Sequence, residues 1–312
     1  MIVKIKIIII AILTTFLFIG GTDNGEDRVL KQFWETGHFV LFFVSIFTLL
    51  QFNKIQQIKT IYLFLLTGLF CIIIGFTTEF LQKLVGRNFQ ILDVINDTVG
   101  GYAGLLLYQL ISSIKSDKQN KKAMSLLYFT GLILLSIIGT KSFLIAVYDK
   151  WNIYNAFPII SNFEGPLEVE RWDYFAATLS KSKNHIRHGK YAMKIRFSPS
   201  QYPRISLEHF IRDWGAYNNI NFSVFNSQSQ TIVINAKIYD NKHIKIGANF
   251  SDRFNQKIIL QPGWNDIEIS LSQVKKSPAA RLMNLNNIRS FSLFMIDLKQ
   301  PSTIYLDDVY LN

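Results

Sequence analysis

"NINFSVFNSQSQTIVINAKIYD", residues 219–240, decides how the second half of this chain folds. Its blocks NINFSVFN and TIVINAKIYD alternate apolar and polar side chains, which is the two-residue period of a strand with one face buried. The same grammar recurs on both sides of it. YAMKIRF comes before, and NDIEISL, IRSFSLFMI and TIYLDDVYL come after, with turns such as QPGWN between them. No long helical period intervenes from Ser161 onward. Many short antiparallel strands of this kind predict an all-β jelly-roll sandwich over residues 161–312.

Upstream, the composition changes. Residues 149–160, DKWNIYNAFPII, read as a connector, and five apolar runs precede it: 4–20, 36–52, 60–78, 97–113 and 123–148. Runs approaching ~20 apolar residues are long enough to cross a bilayer, so the expectation is a membrane all-α helical bundle of five spans. Residues 1–122 would form a four-span domain and 123–148 a fifth helix.

Basic residues set the expected sides. Lys4 and Lys6, then Lys54 and Lys59, then Lys115, Lys118, Lys121 and Lys122 fall at alternate ends of the runs. Such clusters favour the cytoplasm, which puts the N-terminus inside and residues 161–312 in an extracytoplasmic position. FLFIGGTDNG has no small-x-small cleavage site, so the first run reads as an uncleaved anchor.

The chain has 33 Lys and Arg against 22 Asp and Glu, a formal charge of +11. Because the lysines of the first half flank apolar runs, membrane lipid is the expected partner and nucleic acid is not. One cysteine, Cys71, can form no intrachain disulfide.

The stretch "GFTTEFLQKLVGRNFQILDVINDTVGGYAG", residues 75–104, sets ionisable groups beside hydrocarbon. Glu79 and Gln82 share a helix face, and Asp93, Asp97, Gly100 and Gly104 follow at spacings of four, three and four. The small residues let another helix approach closely, carrying the acids inward. With His38 and Arg87 these residues form a candidate membrane polar cluster. Each also has an ordinary reading: Arg87 as a partner of Asp93 or lipid phosphate, Asp93 as a helix cap, His38 as an interface marker.

These residues resemble the VanZ-like membrane family over about residues 5–113. The matching positions are His38 and Phe39, Gly75, Glu79 and Gln82, Gly86 and Arg87, then Asp93, Asp97, Gly100 and Gly104. Two positions depart from the family pattern: WETGH puts Trp34 and Glu35 where Asp and Lys are usual, and Asp97 replaces a carboxamide. The resemblance implies a cell-envelope role, with antibiotic resistance in one branch and a lipid or lipid-linked substrate as an alternative function.

Residues 158–312 resemble the galactose-binding-like jelly rolls, among them carbohydrate-binding modules and the complex I intermediate-associated protein of 30 kDa. NFEG, DWGAYNNINFSVFN, PGWNDIEISL and TIYLDDVYL carry the likeness. It implies a non-catalytic module for an envelope or extracellular glycan, or a protein-interaction module for a membrane or secreted partner. Trp172 and Tyr174, in the less regular EVERWDYFAA, are the carbohydrate-binding candidates, while Trp214 and Trp264 read as structural. Glu164 with Asp307 and Asp308 are candidates for a structural calcium, set against exposure or pairing to a basic residue.

Catalytic signatures are absent from the sequence. His185, His188, His209 and His243 lack His-Glu-x-x-His spacing, and there is neither Gly-x-Ser-x-Gly nor a phosphate loop.

Overall fold

The computed structural model describes residues 27–52, 57–84, 89–115 and 121–312, with Ile12, Thr14, Thr15 and Ile55. The chain divides into two compact units, Met1–Lys150 and Trp151–Asn312.

Among the described residues, four long helices build the first unit: α1 (Arg28–Leu49), α2 (Thr60–Leu84), α3 (Ile91–Ile114) and α4 (Lys121–Ala156). Asp27 caps α1, its carboxylate accepting the Val29 amide at 2.9 Å. Helices α1 and α3 approach closely where small residues permit it. A Cβ on Gly100 would lie 2.2 Å from the Phe39 carbonyl oxygen, and one on Gly104 would lie 2.4 Å from that of Phe43. The small-residue strip therefore does seat a neighbouring backbone.

The five-span expectation is corrected. Among the described residues only α2 and α4 are long and apolar enough to cross a membrane, with mean hydropathies of 2.2 and 1.9. The runs at 36–52 and 97–113 are parts of α1 and α3, whose polar turns, with His38, Asp93 and Asp97, are buried between helices. An apolar run records burial without saying whether helix or lipid does the burying. The run at 4–20 lies outside the described residues, apart from Ile12, Thr14 and Thr15. The fifth run matches α4, but that helix continues to Ala156, through much of the expected connector.

Eleven strands form the second unit. They are β1 (Ile159–Ser161), β2 (Trp172–Phe175), β3 (Ala177–Ser182), β4 (Ala192–Phe197), β5 (Arg204–Leu207), β6 (Asn219–Asn226), β7 (Ile232–Asp240), β8 (Phe254–Leu260), β9 (Gly263–Ser270), β10 (Ile288–Phe294) and β11 (Ser302–Leu311). Two short helices, α5 (Asn241–Lys245) and α6 (Leu271–Lys276), decorate the loops.

A six-stranded sheet runs β3-β4-β11-β6-β9 with β1 beside β11, and a five-stranded sheet runs β2-β5-β10-β7-β8. All strand pairs are antiparallel. Both sheets send every second residue inward, so Ile220, Phe222 and Val224 of β6 meet Ile234, Ala236 and Ile238 of β7 in one core with Trp214 and Phe291. The second unit is thus a two-sheet β-sandwich, and its first strand starts at Ile159.

Candidate functional site

A β-sandwich leaves each sheet with one outward face, and the two faces here differ. Strand register places residues on them, because hydrogen-bonded partners in adjacent strands point the same way.

On the five-stranded sheet, one outward row is Phe175, Arg204, Phe294, Asn235 and Lys257. The next is Asp173, Ser206, Ser292, Lys237 and Asn255, and Ser290 with Tyr239 follows. Beneath these side chains the serines form a buried hydroxyl floor, at most 5% exposed, with Ser206 Oγ 2.9 Å and Ser290 Oγ 3.2 Å from Ser292 Oγ.

Cations stand over rings on this floor. The Arg204 guanidinium lies 5.2 Å from the Phe175 ring centre and Lys237 Nζ 5.3 Å from that of Tyr239. Burial, with Arg253 and Arg204 adding repulsion, pushes the Lys237 ammonium down to about 8. Burial also raises the Glu208 carboxyl, against the Arg289 guanidinium 3.1 Å away. Aromatic rings beside forked and pointed donors on an open sheet can take the apolar C–H face of a sugar while hydrogen-bonding its hydroxyls.

On the six-stranded sheet the equivalent ring row is Tyr305, Phe225 and Trp264. It is covered by the chain's own β3–β4 loop. His185 stacks on Phe225 with centroids 3.9 Å apart and meets Tyr305 edge-on at 4.6 Å. Arg187 lies 5.7 Å from the Trp264 centroid and pairs with Asp266 at 2.6 Å.

Beyond this loop, a groove of about 630 Å³ is lined by Asn221, Ser223, Asp266, Glu268, Asp308 and Tyr310, among others.

The sequence candidates take these places. Trp172 is 3% exposed and packs edge-on against Phe291 in the core, so its expected surface role is corrected. EVERWDYFAA is a 3-10 turn running into edge strand β2, and β2 turns its first residue inward. Tyr174 is 54% exposed, yet it shares its pleat direction with Trp172 and Ile205 at the sandwich edge. Phe175, 51% exposed, takes the outward face instead. WDYF does not alternate cleanly, because Tyr174 and Phe175 are both aromatic, so the pairing of β2 with β5 is what identifies Phe175.

Glu164, Asp307 and Asp308 all gather at the covering loop. Glu164 accepts the amides of Lys190 and Tyr191 at 2.6 and 3.0 Å. Asp307 accepts those of Arg187, His188 and Asp308. Burial pushes the Asp307 carboxyl up to about 6, against those amides, which favour its charged form. Asp308 bonds the His188 imidazole. The carbonyls of Glu164 and Gly165 face Lys181 Nζ at 2.8 and 3.1 Å. Amides thus engage one oxygen of Glu164 and both oxygens of Asp307, and an imidazole engages Asp308.

In the helical unit, His38 of α1, Glu79 of α2, and Asp93 and Asp97 of α3 come together, each at most 2% exposed. His38 Nδ1 bonds Asp97 Oδ1 at 3.0 Å, while His38 Nε2 lies 3.5 Å from Asp93 Oδ2 and 4.0 Å from Glu79 Oε1. The other Glu79 oxygen accepts the Gln90 amide at 2.7 Å. Gln82 is buried on the same helix as Glu79, and Arg87 lies outside the described residues.

No protein-family model matches the chain, and no curated protein matches it. Solved structures do match the second unit. One is a family 11 carbohydrate-binding module from Clostridium thermocellum in complex with a β-1,3-1,4-mixed-linked tetrasaccharide. It is 17% identical with a TM-score of 0.38, covering 49% of this chain and 93% of that one. A solution structure of CtCBM11 is 20% identical with a TM-score of 0.37, covering 49% of this chain and 92% of that one. An exo-β-agarase is 9% identical with a TM-score of 0.39, and only 25% of it is covered, against 49% of this chain.

Proposed function

We propose that the β-sandwich is a non-catalytic glycan-binding module, using the outward face of its five-stranded sheet, and that α2 and α4 hold it at a membrane on the extracytoplasmic side. The observation that carries the binding reading is the open ring-and-cation surface of Phe175, Arg204, Asn235, Lys237 and Tyr239 above the serine floor. The corresponding rings of the other sheet are occupied by His185 and Arg187. Arg204, Lys237 and Lys257 outnumber Asp173 on these rows, which favours an envelope or extracellular glycan carrying acidic substituents.

Anchoring is supported by α4, of whose most apolar window only 11% is buried inside the protein. Leu126, Leu127, Leu134, Ile137, Ile138 and Leu144 are all more than half exposed, a surface that suits lipid better than water. The start of α4 lies among Lys115, Lys118, Lys121 and Lys122. Such a cluster favours the cytoplasm and would send the end of α4 outward. A tether of this kind raises the local concentration of a weak binder near envelope polymers.

A glycan array probed with residues 151–312, with and without calcium, tests the binding reading. Hits that vanish in F175A and R204A, and persist per folded molecule in W172F, are expected. Capture of a single membrane or secreted protein with no glycan hit would replace this reading with an assembly module. Thiol labelling of K118C and S229C in a C71A background tests the sidedness, and labelling of both from one side would refute it.

For the helical unit, the buried His–carboxylate cluster favours a second role toward a lipid or lipid-linked envelope substrate, as the VanZ-like resemblance implies. E79A and D93N should then abolish function while the protein still accumulates in the membrane.

A further inference from the structure

The side chains of His38, Glu79 and Asp93 converge in a way that a hydrogen-bonded helix core does not explain. Three carboxylates and one imidazole lie together at 0–2% exposure, and among the described residues their ion-pair partner is His38. One imidazole cannot match three carboxylates if all are ionised, and buried charge is costly unless it is matched.

Two of the converging atoms, His38 Nε2 and Glu79 Oε1, are buried and make no hydrogen bond. They face each other and Asp93 Oδ2 across 4.0 and 3.5 Å, too far to bond directly. All three atoms lie within 4.8 Å of one another. A triangle of that size has a centre no more than about 2.8 Å from its corners, and a small inward rotamer shift reaches the ~2.0–2.2 Å of metal–nitrogen and metal–carboxylate bonds.

The surroundings fit the same purpose. Asp97 Oδ1 lies 3.0 Å from His38 Nδ1, and a carboxylate accepting there selects the tautomer that turns the Nε2 lone pair toward the centre. The Gln90 amide at 2.7 Å holds Glu79 Oε2 and aims Oε1 inward. Gly75 lies against Asp97, where a Cβ would come 2.8 Å from Oδ2 and push on the carboxylate.

We propose that the helical unit binds one divalent transition-metal ion of the zinc class through His38 Nε2, Glu79 Oε1 and Asp93 Oδ2, with Asp97 orienting the imidazole. One nitrogen and two oxygens suit zinc better than magnesium, which favours an all-oxygen shell. Three protein ligands leave one tetrahedral position open to water or a further ligand. The proposal rests on these helices alone and is independent of the glycan reading.

The test uses the full chain, tag-free and in detergent, stripped with a chelator and re-equilibrated with zinc chloride. After gel filtration, elemental analysis should find about one zinc per chain. Cobalt(II) should give visible d–d absorption that added zinc removes, and an equal concentration of magnesium should not.

H38Q and E79Q should each weaken zinc binding by a hundredfold or more, and D97N by about 10–100-fold. H188Q, which alters the exposed histidine of the sandwich, should bind as the wild type does. Should H38Q not fold, X-ray absorption on the wild-type zinc form decides: one imidazole nitrogen among oxygen ligands supports the site. A folded wild-type chain that retains no stoichiometric zinc, or zinc binding unchanged in H38Q, overturns the proposal. Displacement of zinc by equimolar magnesium overturns the zinc-class assignment.

Discussion

Replacing Arg281 with methionine should loosen the end of the sandwich where β7 passes into α5. The guanidinium makes four short bonds: Nη1 and Nη2 to Asp240 at 2.6 and 2.8 Å, and Nε and Nη2 to Asp252 at 2.7 and 2.6 Å. Its side chain is 13% exposed and that of Asp240 only 1%, so methionine would leave a buried carboxylate without its cation. Breaking such a pair from one side costs about 3–5 kcal/mol. The lower end applies here, because Asp240 keeps the amides of His243 and Asn284.

About 3 kcal/mol corresponds to roughly hundredfold faster amide exchange in β7 and β10, read by hydrogen-exchange mass spectrometry on the full chain. Against the raising effect of burial, Arg281 with the Asn284 and His243 amides holds the Asp240 carboxyl below its usual 3.8. Asp252 is held low chiefly by Arg281. This stabilisation is present above the usual carboxylate range and is lost as pH falls through the lowered folded values. The gap between wild type and R281M should therefore narrow on acidification. The triple change R281M/D240N/D252N should recover at least half of the loss. An acceleration below about fivefold, or no recovery in the triple variant, would refute the account of the network.

Lys237, held down to about 8 against 10.5 in the unfolded chain, makes the fold bind fewer protons than the unfolded state between those values. Stability should rise with pH across that window, and K237M should remove the rise in thermal scans while stabilising the protein at pH 7. D307A removes the acceptor of the Arg187 and His188 amides, so trypsin should cut at Lys183, Arg187 or Lys190 several times faster than in the wild type. G100A sets a Cβ 2.2 Å from the Phe39 carbonyl oxygen and should destabilise the helical unit by about 1–3 kcal/mol, seen as a lower melting temperature in detergent.

The β half was legible because period-two alternation is a local signal: NINFSVFN and TIVINAKIYD became β6 and β7 with the expected sides inward. EVERWDYFAA was misread for want of a clean period. Only the pairing of Trp172 with Leu207 shows which way β2 faces. Glu79, Asp93 and Asp97 stood out as acids beside apolar runs, and spacing put the last two on one face. That His38, 59 residues from Asp97, would bond it is a tertiary fact no spacing contains. The apolar runs misled for a related reason: a helix covered by its neighbours and one covered by lipid have the same composition.

The β3–β4 loop gives the sandwich a handedness of use. His185 lies on Phe225 as a flat ligand would, and Arg187 caps Trp264 while neutralising Asp266. With the ring row of the six-stranded sheet taken by an internal tenant, a module that binds a polymer as proposed would hold it through the rings of the other sheet. Many copies at a membrane would, on that proposal, line a strand up along the surface instead of cross-linking neighbouring strands into a gel.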